Sequence, residues 1–492
     1  MTEGLVQRRF DASDLKAIGR RAALLGGPLL FALIQWTEGP EAVSPEAWSL
    51  LAIAAWMILW WMTEAVPLAA TALIPLVLFP ITGVLPEGST ASNYAHPLIF
   101  LFLGGFLLGA ALQQVGLHRR LALAILRRVG TSPSRQLAGF IGTAAFLSMW
   151  ISNTATAIMM FPVALSVIEV MQEKLGKAAS ESFGKSLMLG TAYGCSLGGA
   201  ATLIGTPPNA LAAAYASEHL GFTITFARWM SIGLPFATLM LVFTWWWLSR
   251  RTPRLPQETQ GALQATLDDL ARTLGPWRKS ELWVGIIGLC AAVAWIFRPW
   301  LISWTGLPLT DTSIALVAGL ALLCLPSPDK PDQALLPWAD ALRIPWGVLL
   351  LFGGGLALAS AFSQVGLTEV VGSWLTEMRS PPLFVALALS CGIVLMLTEL
   401  TSNTATTATF LPLVAAAATA WAFAPVLFLA GLALAASAAF MLPVATPPNA
   451  VVFGYGPLRV IDMARSGALL NVVGLLWLTL LLTFAGSRLL GV

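Results

Sequence analysis

Two short polar sequences recur inside otherwise apolar stretches of this chain. Ser152-Asn153-Thr154-Ala155-Thr156 returns as Ser402-Asn403-Thr404-Ala405-Thr406, 250 positions later. Thr206-Pro207-Pro208-Asn209-Ala210 returns as Thr446-Pro447-Pro448-Asn449-Ala450, 240 positions later. Hydroxyls serve as donor or acceptor, and an Asn amide carries one of each kind of group. Proline removes a main-chain donor and interrupts a helix. An interrupted helix presents free N–H groups at one cut end and free C=O groups at the other. The N–H end favours an anion, and the C=O end can hold a cation. One Ser-Asn-Thr cluster with one Thr-Pro-Pro-Asn run therefore makes a cation site beside an anion-binding surface. Two copies make two such sites facing each other. No Lys or Arg lies near these motifs in sequence. A small dianion held there would need co-bound cations, because burying unpaired charge is costly. Hydroxyl, amide and carbonyl oxygens suit a hard cation such as Na+ and do not titrate near neutral pH.

Composition tells what must position these groups. Of 492 residues, 57% are hydrophobic and only 10% are charged, against about 25% charged in soluble domains. A soluble enzyme, a disordered chain and a nucleic-acid binder are all poor readings. The chain reads as an all-α polytopic membrane protein in contact with lipid. A helical span needs about 20 apolar residues. Runs at 22–38, 46–63, 66–84, 97–117, 186–216, 230–248, 281–298, 309–325, 345–366, 426–455 and 466–487 predict about eleven transmembrane helices. Two longer apolar blocks, 136–170 and 383–420, are each interrupted near the middle by a Ser-Asn-Thr cluster. Each reads as a re-entrant hairpin, whose turn is tolerated only against protein or a water-filled cavity. The four cysteines lie in apolar stretches without a CxxC pair and read as packing residues. Residues 1–21 are too polar for a cleaved signal peptide, so the first apolar run is expected to stay as a span.

Charge placement orients the layout. With the N-terminus in the cytoplasm, 23 of the 27 Lys and Arg fall in cytoplasmic segments. The other four, Arg228, Arg298, Arg379 and Arg488, fall outside. This is a strong positive-inside bias, and it predicts an inner (plasma) membrane protein with its C-terminus outside. Gln114-Val115-Gly116-Leu117 recurs as Gln364-Val365-Gly366-Leu367, first at the cytoplasmic face and then at the outer one. The two halves are therefore inverted repeats, the hallmark of secondary transporters that bind substrate and ions near the midplane. The polar stretch 249–280 is the expected linker between halves.

Blander readings compete. Ser, Thr and Asn often act as polar packing between helices, but a duplicated cluster matched each time to Thr-Pro-Pro-Asn argues against that. Gly104-Gly105 and Gly353-Gly354-Gly355 read as close helix packing. Gly194-Cys195-Ser196-Leu197-Gly198 fits the GxSxG of a hydrolase, but it lies in an expected helix without the required strand-turn-helix. The three histidines, His96, His118 and His219, fall in expected polar loops at opposite faces. An intramembrane enzyme is therefore disfavoured. Glu399 and Glu64 lie within or beside apolar segments, where acids are functional candidates. Glu399 is either a proton site of a proton-coupled carrier or a structural acid bonded to a broken helix, and the second is preferred.

With Trp61-Met62-Thr63-Glu64-Ala65-Val66-Pro67, the paired Ser-Asn-Thr-Ala-Thr motifs, Gly205 before the first Thr-Pro-Pro-Asn and Phe440-Met441-Leu442-Pro443-Val444-Ala445 before the second, the chain resembles the divalent-anion/sodium symporter family over about 60–490. The resemblance implies a homodimer with a fixed scaffold and an elevator-type transport domain. The scaffold would comprise 22–135 and 281–382. The transport domain would comprise 136–248 and 383–492, with breaks at 206–209 and 446–449, and 249–280 would be a cytoplasmic linker. It implies a C4-dicarboxylate such as succinate moved with several Na+. A Na+-independent exchanger and a sulfate transporter are the alternatives. It also implies one sodium site at Ser148, Ser152, Asn153 and Gly205, and a second at Thr398, Thr401, Ser402, Asn403 and Ala445. The substrate would meet Ser152, Asn153, Thr154, Ser402, Asn403 and Thr404, with Thr206, Thr446 and Pro447 nearby.

Overall fold

The structure, a computed structural model, describes residues 12–41, 43–250, 257–376 and 380–492. The N-terminal residues 1–11, the first part of the linker at 251–256 and Arg379 lie outside the described residues, so the expectations placed on them rest on sequence alone. The first half runs through α1 (Ala12–Trp36), α2 (Pro45–Thr63), the short helices α3 (Leu68–Thr71), α4 (Ile74–Thr82) and α5 (Glu87–Ser92), and then α6 (Pro97–Gln114) and α7 (Leu117–Val129). Next come α8 (Pro133–Ser148), α9 (Asn153–Leu175), α10 (Lys177–Ala201), α11 (Pro207–Leu220) and α12 (Phe226–Ser249). Helix α13 (Gln257–Arg272) connects the halves. The second half holds α14 (Lys279–Ile296), α15 (Arg298–Thr305), α16 (Asp311–Cys324) and a small antiparallel pair, β1 (Pro326–Ser327) and β2 (Lys330–Ala334). It continues with α17 (Trp338–Ala341), α18 (Trp346–Gln364), α19 (Leu367–Thr376), α20 (Leu383–Thr398), α21 (Asn403–Ala420) and α22 (Pro425–Ala436). It ends with α23 (Pro447–Phe453), α24 (Val460–Leu481) and α25 (Ser487–Leu490).

Both interrupted blocks are helical hairpins, α8–α9 and α20–α21, and their turns fall on 149–152 and 399–402. The Gln-Val-Gly-Leu repeat has a backbone cause. Gly116 and Gly366 take φ of 80° and 75° after α6 and α18, a left-handed step that glycine makes without steric cost. The chain can then turn off into α7 and α19.

Seven helices are long and apolar enough to cross a membrane among the described residues. Six of them fall on the eleven expected spans, and the seventh is α9 of a hairpin. Of the remaining expected spans, 22–38 falls on α1 and 309–325 on the single short helix α16, while 186–216 is divided between α10 and α11. The run 66–84 is split into α3 and α4, and 426–455 into α22 and α23. Two polar stretches between the expected spans are helical. Helix α7 covers 117–129 and α13 lies within the linker 249–280; amphipathic helices carry too many charges to register as apolar runs. His118 and His219 also lie on helices and are buried or nearly so. Burial holds both imidazoles below their usual range. Cys195 and Cys391 are buried as expected of packing residues, whereas Cys290 and Cys324 are exposed on the apolar exterior. That exterior also presents Leu29, Val77, Ile81, Leu289, Val317 and Leu320, as a lipid-facing surface does.

The breaks lie elsewhere than expected at 206–209 and 446–449. Helix α10 ends at Ala201, and the gap is 202–206; α22 ends at Ala436, and the gap is 437–446. Pro207-Pro208 and Pro447-Pro448 start the following helices. Proline is well tolerated in a first turn, where its missing N–H would have been unpaired anyway. The break lets the halves interlock. Helix α11 packs on α21 and α22 of the second half, while α23 packs on α9 and α10 of the first. A separate group packs α6 against α14 and α16. A Cβ on Gly104 would strike the Ala315 main chain, and one on Gly354 the Ala72 main chain. This bears out the close-packing reading of both glycine runs.

Segments given one face by the charge count touch each other. Lys185 pairs with Asp462 at 2.8 Å, and Arg127 with Asp268 at 2.6 Å. Arg120 bonds Glu281 and the carbonyls of Leu274, Gly275 and Pro276. At the other face Asp311 pairs with Arg298 at 2.9 Å, and Ser231 bonds the carbonyl of Leu489.

Candidate substrate and cation site

The two hairpin turns and the two break loops meet at one cavity of about 1500 Å³. Ser152, Asn153, Thr154, Gly205, Thr206, Thr401, Ser402, Asn403, Thr404, Ala445, Thr446 and Pro447 all line it. The motifs that recur in sequence are thus brought together, two from each half. Ser148 and Thr398 do not line the cavity. They are fully buried behind it, each bonded to the Asn five residues on. Ser148 Oγ donates to Asn153 Oδ1 at 2.5 Å, and Thr398 Oγ1 to Asn403 Oδ1 at 2.6 Å. The same contact at the same spacing in both repeats fixes which way each carboxamide faces.

The site has two kinds of group. Helices α9 and α21 begin at Asn153 and Asn403. Ser152 caps α9, its Oγ accepting from Ala155 N at 3.3 Å, and the N–H groups of Thr156 and Thr406 return to the carbonyls of Ser152 and Ser402. No acceptor among the described residues takes the main-chain N–H of Asn153, Thr154, Asn403 or Thr404. These donors, at the positive ends of two helices, face one cavity from opposite halves, as an anion with two charged ends requires. The second kind is oxygen. Hydroxyl, carboxamide and carbonyl oxygens of each Ser-Asn-Thr turn lie with a break loop. A Cβ on Gly199 would strike the carboxamide of Asn153, and one on Gly205 the carbonyl of Gly199. Glycines let the end of α10 approach both the first turn and the first break loop this closely.

Glu399 lies just behind the second turn and is almost fully buried. Its carboxylate accepts from the main-chain N–H of Phe440 at 2.9 Å, Met441 at 3.0 Å and Leu442 at 3.1 Å, and from Asn471 Nδ2 at 2.7 Å. All four partners are donors, and three belong to the second break loop. This is the structural acid bonded to a broken helix. At the repeat-equivalent place in the first half, the carbonyl of Met149 accepts from Thr202 Oγ1 at 2.7 Å. Glu64 ends α2 with φ 48° and is exposed in the cavity wall. Gln113, Gln114, Asp340 and Arg343 line the same cavity, and sequence reasoning did not place them there. Arg343 pairs with Asp340 at 3.0 Å. Only the Gln-Val-Gly-Leu repeat hinted at one of them.

A membrane-embedded helical bundle whose broken helices from two halves converge on one polar cavity is a secondary transporter. A profile of the "Sodium:sulfate symporter transmembrane region" matches residues 23–491, and the chain belongs to that family. It is 38% identical over 483 residues to the sodium-dependent dicarboxylate transporter SdcS of Staphylococcus saprophyticus, covering 96% of this chain and 93% of the relative. It is 36% identical over 481 residues to SdcS of Staphylococcus aureus, covering 96% and 92%. Among solved structures, Neisseria gonorrhoeae MtrF aligns with a TM-score of 0.56 at 12% identity, over 96% of this chain and 94% of that one. Alcanivorax borkumensis YdaH aligns at 0.52 and 14%, over 80% and 86%. These two likenesses concern the fold alone. The chain is a transporter, not an enzyme. The GxSxG serine, Ser196, is a buried residue within α10.

Proposed function

We propose that this protein carries a C4-dicarboxylate such as succinate across the membrane together with several Na+. The supporting observation is the opposition, across one cavity, of the N-termini of α9 and α21 with unpartnered N–H groups, each beside a cluster of uncharged oxygens. Two helix ends can meet the two carboxylates of a short dianion. The oxygen clusters would hold Na+ at Ser148, Ser152, Asn153 and Gly205 and at Thr398, Thr401, Ser402, Asn403 and Ala445. The bound cations offset the substrate's charge, so neither binds well alone. Relatives named as sodium-dependent dicarboxylate transporters support this choice over sulfate. Glu399 is occupied by four donors, which favours Na+ over a proton as the coupling ion.

We further propose an elevator mechanism in a homodimer, with N-terminus cytoplasmic and C-terminus outside, as the family resemblance and the basic-residue count support. The cavity rim residues Glu64, Gln113, Gln114, Asp340 and Arg343 all come from segments that the count puts at the cytoplasmic face. On that reading this conformation opens inward. Uptake of labelled succinate into proteoliposomes, competed with malate, citrate and sulfate, tests the substrate. Malate should compete and sulfate should not. Stronger competition by sulfate than by malate would overturn the dicarboxylate reading.

A further inference from the structure

The Asn of each Thr-Pro-Pro-Asn run lines neither the cavity nor the hairpin turn, yet its side chain does the same thing in both halves. Asn209 and Asn449 are fully buried. Asn209 Nδ2 donates to the carbonyls of Gly199 at 3.1 Å, Ala200 at 3.3 Å and Thr202 at 2.7 Å. Asn449 Nδ2 donates to those of Ala439 at 3.4 Å and Leu442 at 3.0 Å. The strides are identical: ten residues back and seven residues back in both repeats. In the first repeat these carbonyls are those of the last turn of α10, where no helical N–H is left for them, and of Thr202 in the break loop; in the second repeat both lie in the break loop after α22. Asn209 thus ties the end of α10 and its break loop to the start of α11, and Asn449 ties the second break loop to the start of α23.

What the gap holds gives this clamp its meaning. Thr202 O accepts Asn209 Nδ2 and also the N–H of Gly205 at 3.3 Å; Leu442 O accepts Asn449 Nδ2 and also the N–H of Ala445 at 3.2 Å. Gly205 and Ala445 are therefore fixed from the same carbonyl that the Asn holds. Their own carbonyls have no donor among the described residues. The two prolines that follow supply no N–H, and the N–H of Asn209 goes to Thr206 O while that of Asn449 goes to Thr446 Oγ1. The Oδ1 atoms of Asn209 and Asn449 likewise have no hydrogen-bond partner among the described residues. In both repeats the structure uses only the donor half of this side chain.

We propose that Asn209 and Asn449 are positioning residues for the two cation sites: each clamps its break loop so that the carbonyl of Gly205 or Ala445 is held at a fixed place toward the cation, without touching the cation itself. The inference rests on the sodium sites proposed above. Loss of the clamp leaves every ligand present but lets one carbonyl wander. The cation cage then loses affinity and discrimination by ion size, whereas substrate affinity at saturating cation is little changed.

The test is uptake of labelled succinate in proteoliposomes of the wild type, Asn209→Ala and Asn449→Ala, titrated with Na+ and with Li+. The expected result is a rise of about tenfold in half-saturating Na+ in each variant. The ratio of Li+-driven to Na+-driven uptake should move in the same direction in both, with the KM for succinate at saturating Na+ within about twofold of wild type. A purely structural role predicts fewer active molecules, hence lower maximal uptake with the Na+ dependence and the Li+/Na+ ratio unchanged; that result overturns the proposal. Should Asn209→Ala fail to fold, Asn449→Ser, which touches two carbonyls rather than three, and Trp229→Phe keep the test decisive. Trp229 Nε1 holds Ala200 O at 3.1 Å, so Trp229→Phe should shift Na+ dependence in the same sense by a smaller factor. If the wild type itself ignores Na+, the sodium reading fails and not the clamp alone.

Discussion

Asn153→Ala and Asn403→Ala should raise the Na+ requirement alike, yet cost unequal stability. Ser148 is fully buried, and its hydroxyl carries one hydrogen bond, to Asn153 Oδ1 at 2.5 Å. Alanine at 153 leaves that donor buried and unpaired, at a cost of about 1–3 kcal/mol. Thr398 Oγ1 reaches Asn403 Oδ1 at 2.6 Å but also Ala436 O at 3.1 Å. Alanine at 403 therefore leaves the hydroxyl an acceptor, and the expected loss is below about 1 kcal/mol. In function the two are equivalent, since each removes one carboxamide oxygen from a cation site. A loss of about 1.4 kcal/mol is tenfold, so half-saturating Na+ should rise tenfold to a few hundredfold in both. Thermal unfolding in detergent reads the stability, and Na+-titrated succinate uptake reads the function. The double variant Ser148→Ala with Asn153→Ala removes both partners, which is near neutral for stability. It should regain most of the lost stability and none of the transport. Normal Na+ dependence in a folded Asn153→Ala protein refutes the assignment of the hairpin turn, and equal destabilisation in the two single variants refutes the hydrogen-bond argument.

Three further outcomes follow from contacts around the site. Glu399→Gln places an amide NH2 among four donors, so thermal unfolding should show a loss of about 1.5–3 kcal/mol; unchanged stability would return Glu399 to the list of proton sites. Gly199→Ala pushes a Cβ against the Asn153 carboxamide, and should raise half-saturating Na+ at least about tenfold while folding is kept, because the obstructed group is a side-chain end; unaltered Na+ dependence in uptake would contradict the close approach. Asp311 Oδ2 accepts from Phe226 N at 2.7 Å and joins the start of α12 to α16. Under the elevator proposal that bond spans the moving boundary, so Asp311→Ala should lower labelling of a cysteine at Val444, which is 66% exposed in the cavity wall, by a membrane-impermeant thiol reagent supplied to the cytoplasmic side. Unchanged labelling would show that the bond does not bias the conformation.

Much of the site was legible because its residues recur. A polar triplet in the middle of an apolar block marks a hairpin turn whatever the helices around it, and both turns end on the Ser of the repeated Ser-Asn-Thr. The breaks were harder to place. Proline is read as an interruption, yet at the first turn of a helix it is a start signal, so Pro207 and Pro447 open helices and the gap precedes them. Helices α7 and α13 escaped the apolar scan because one face of each is charged. Gln113, Asp340 and Arg343 reach the cavity through packing between distant elements, which no local pattern encodes. The donor clamp of Asn209 was invisible for the same reason: the stride of ten and seven residues runs across a gap, with no helical or strand periodicity to reveal it.

The coupling of Na+ to dicarboxylate is tested most directly by following both species in the same proteoliposomes. Radiolabelled sodium entry should depend on external succinate, and succinate entry should depend on external Na+, with each flux falling to background when the other solute is replaced by choline or chloride. Succinate entry that persists at full rate in choline, with no succinate-dependent entry of sodium, would contradict the account.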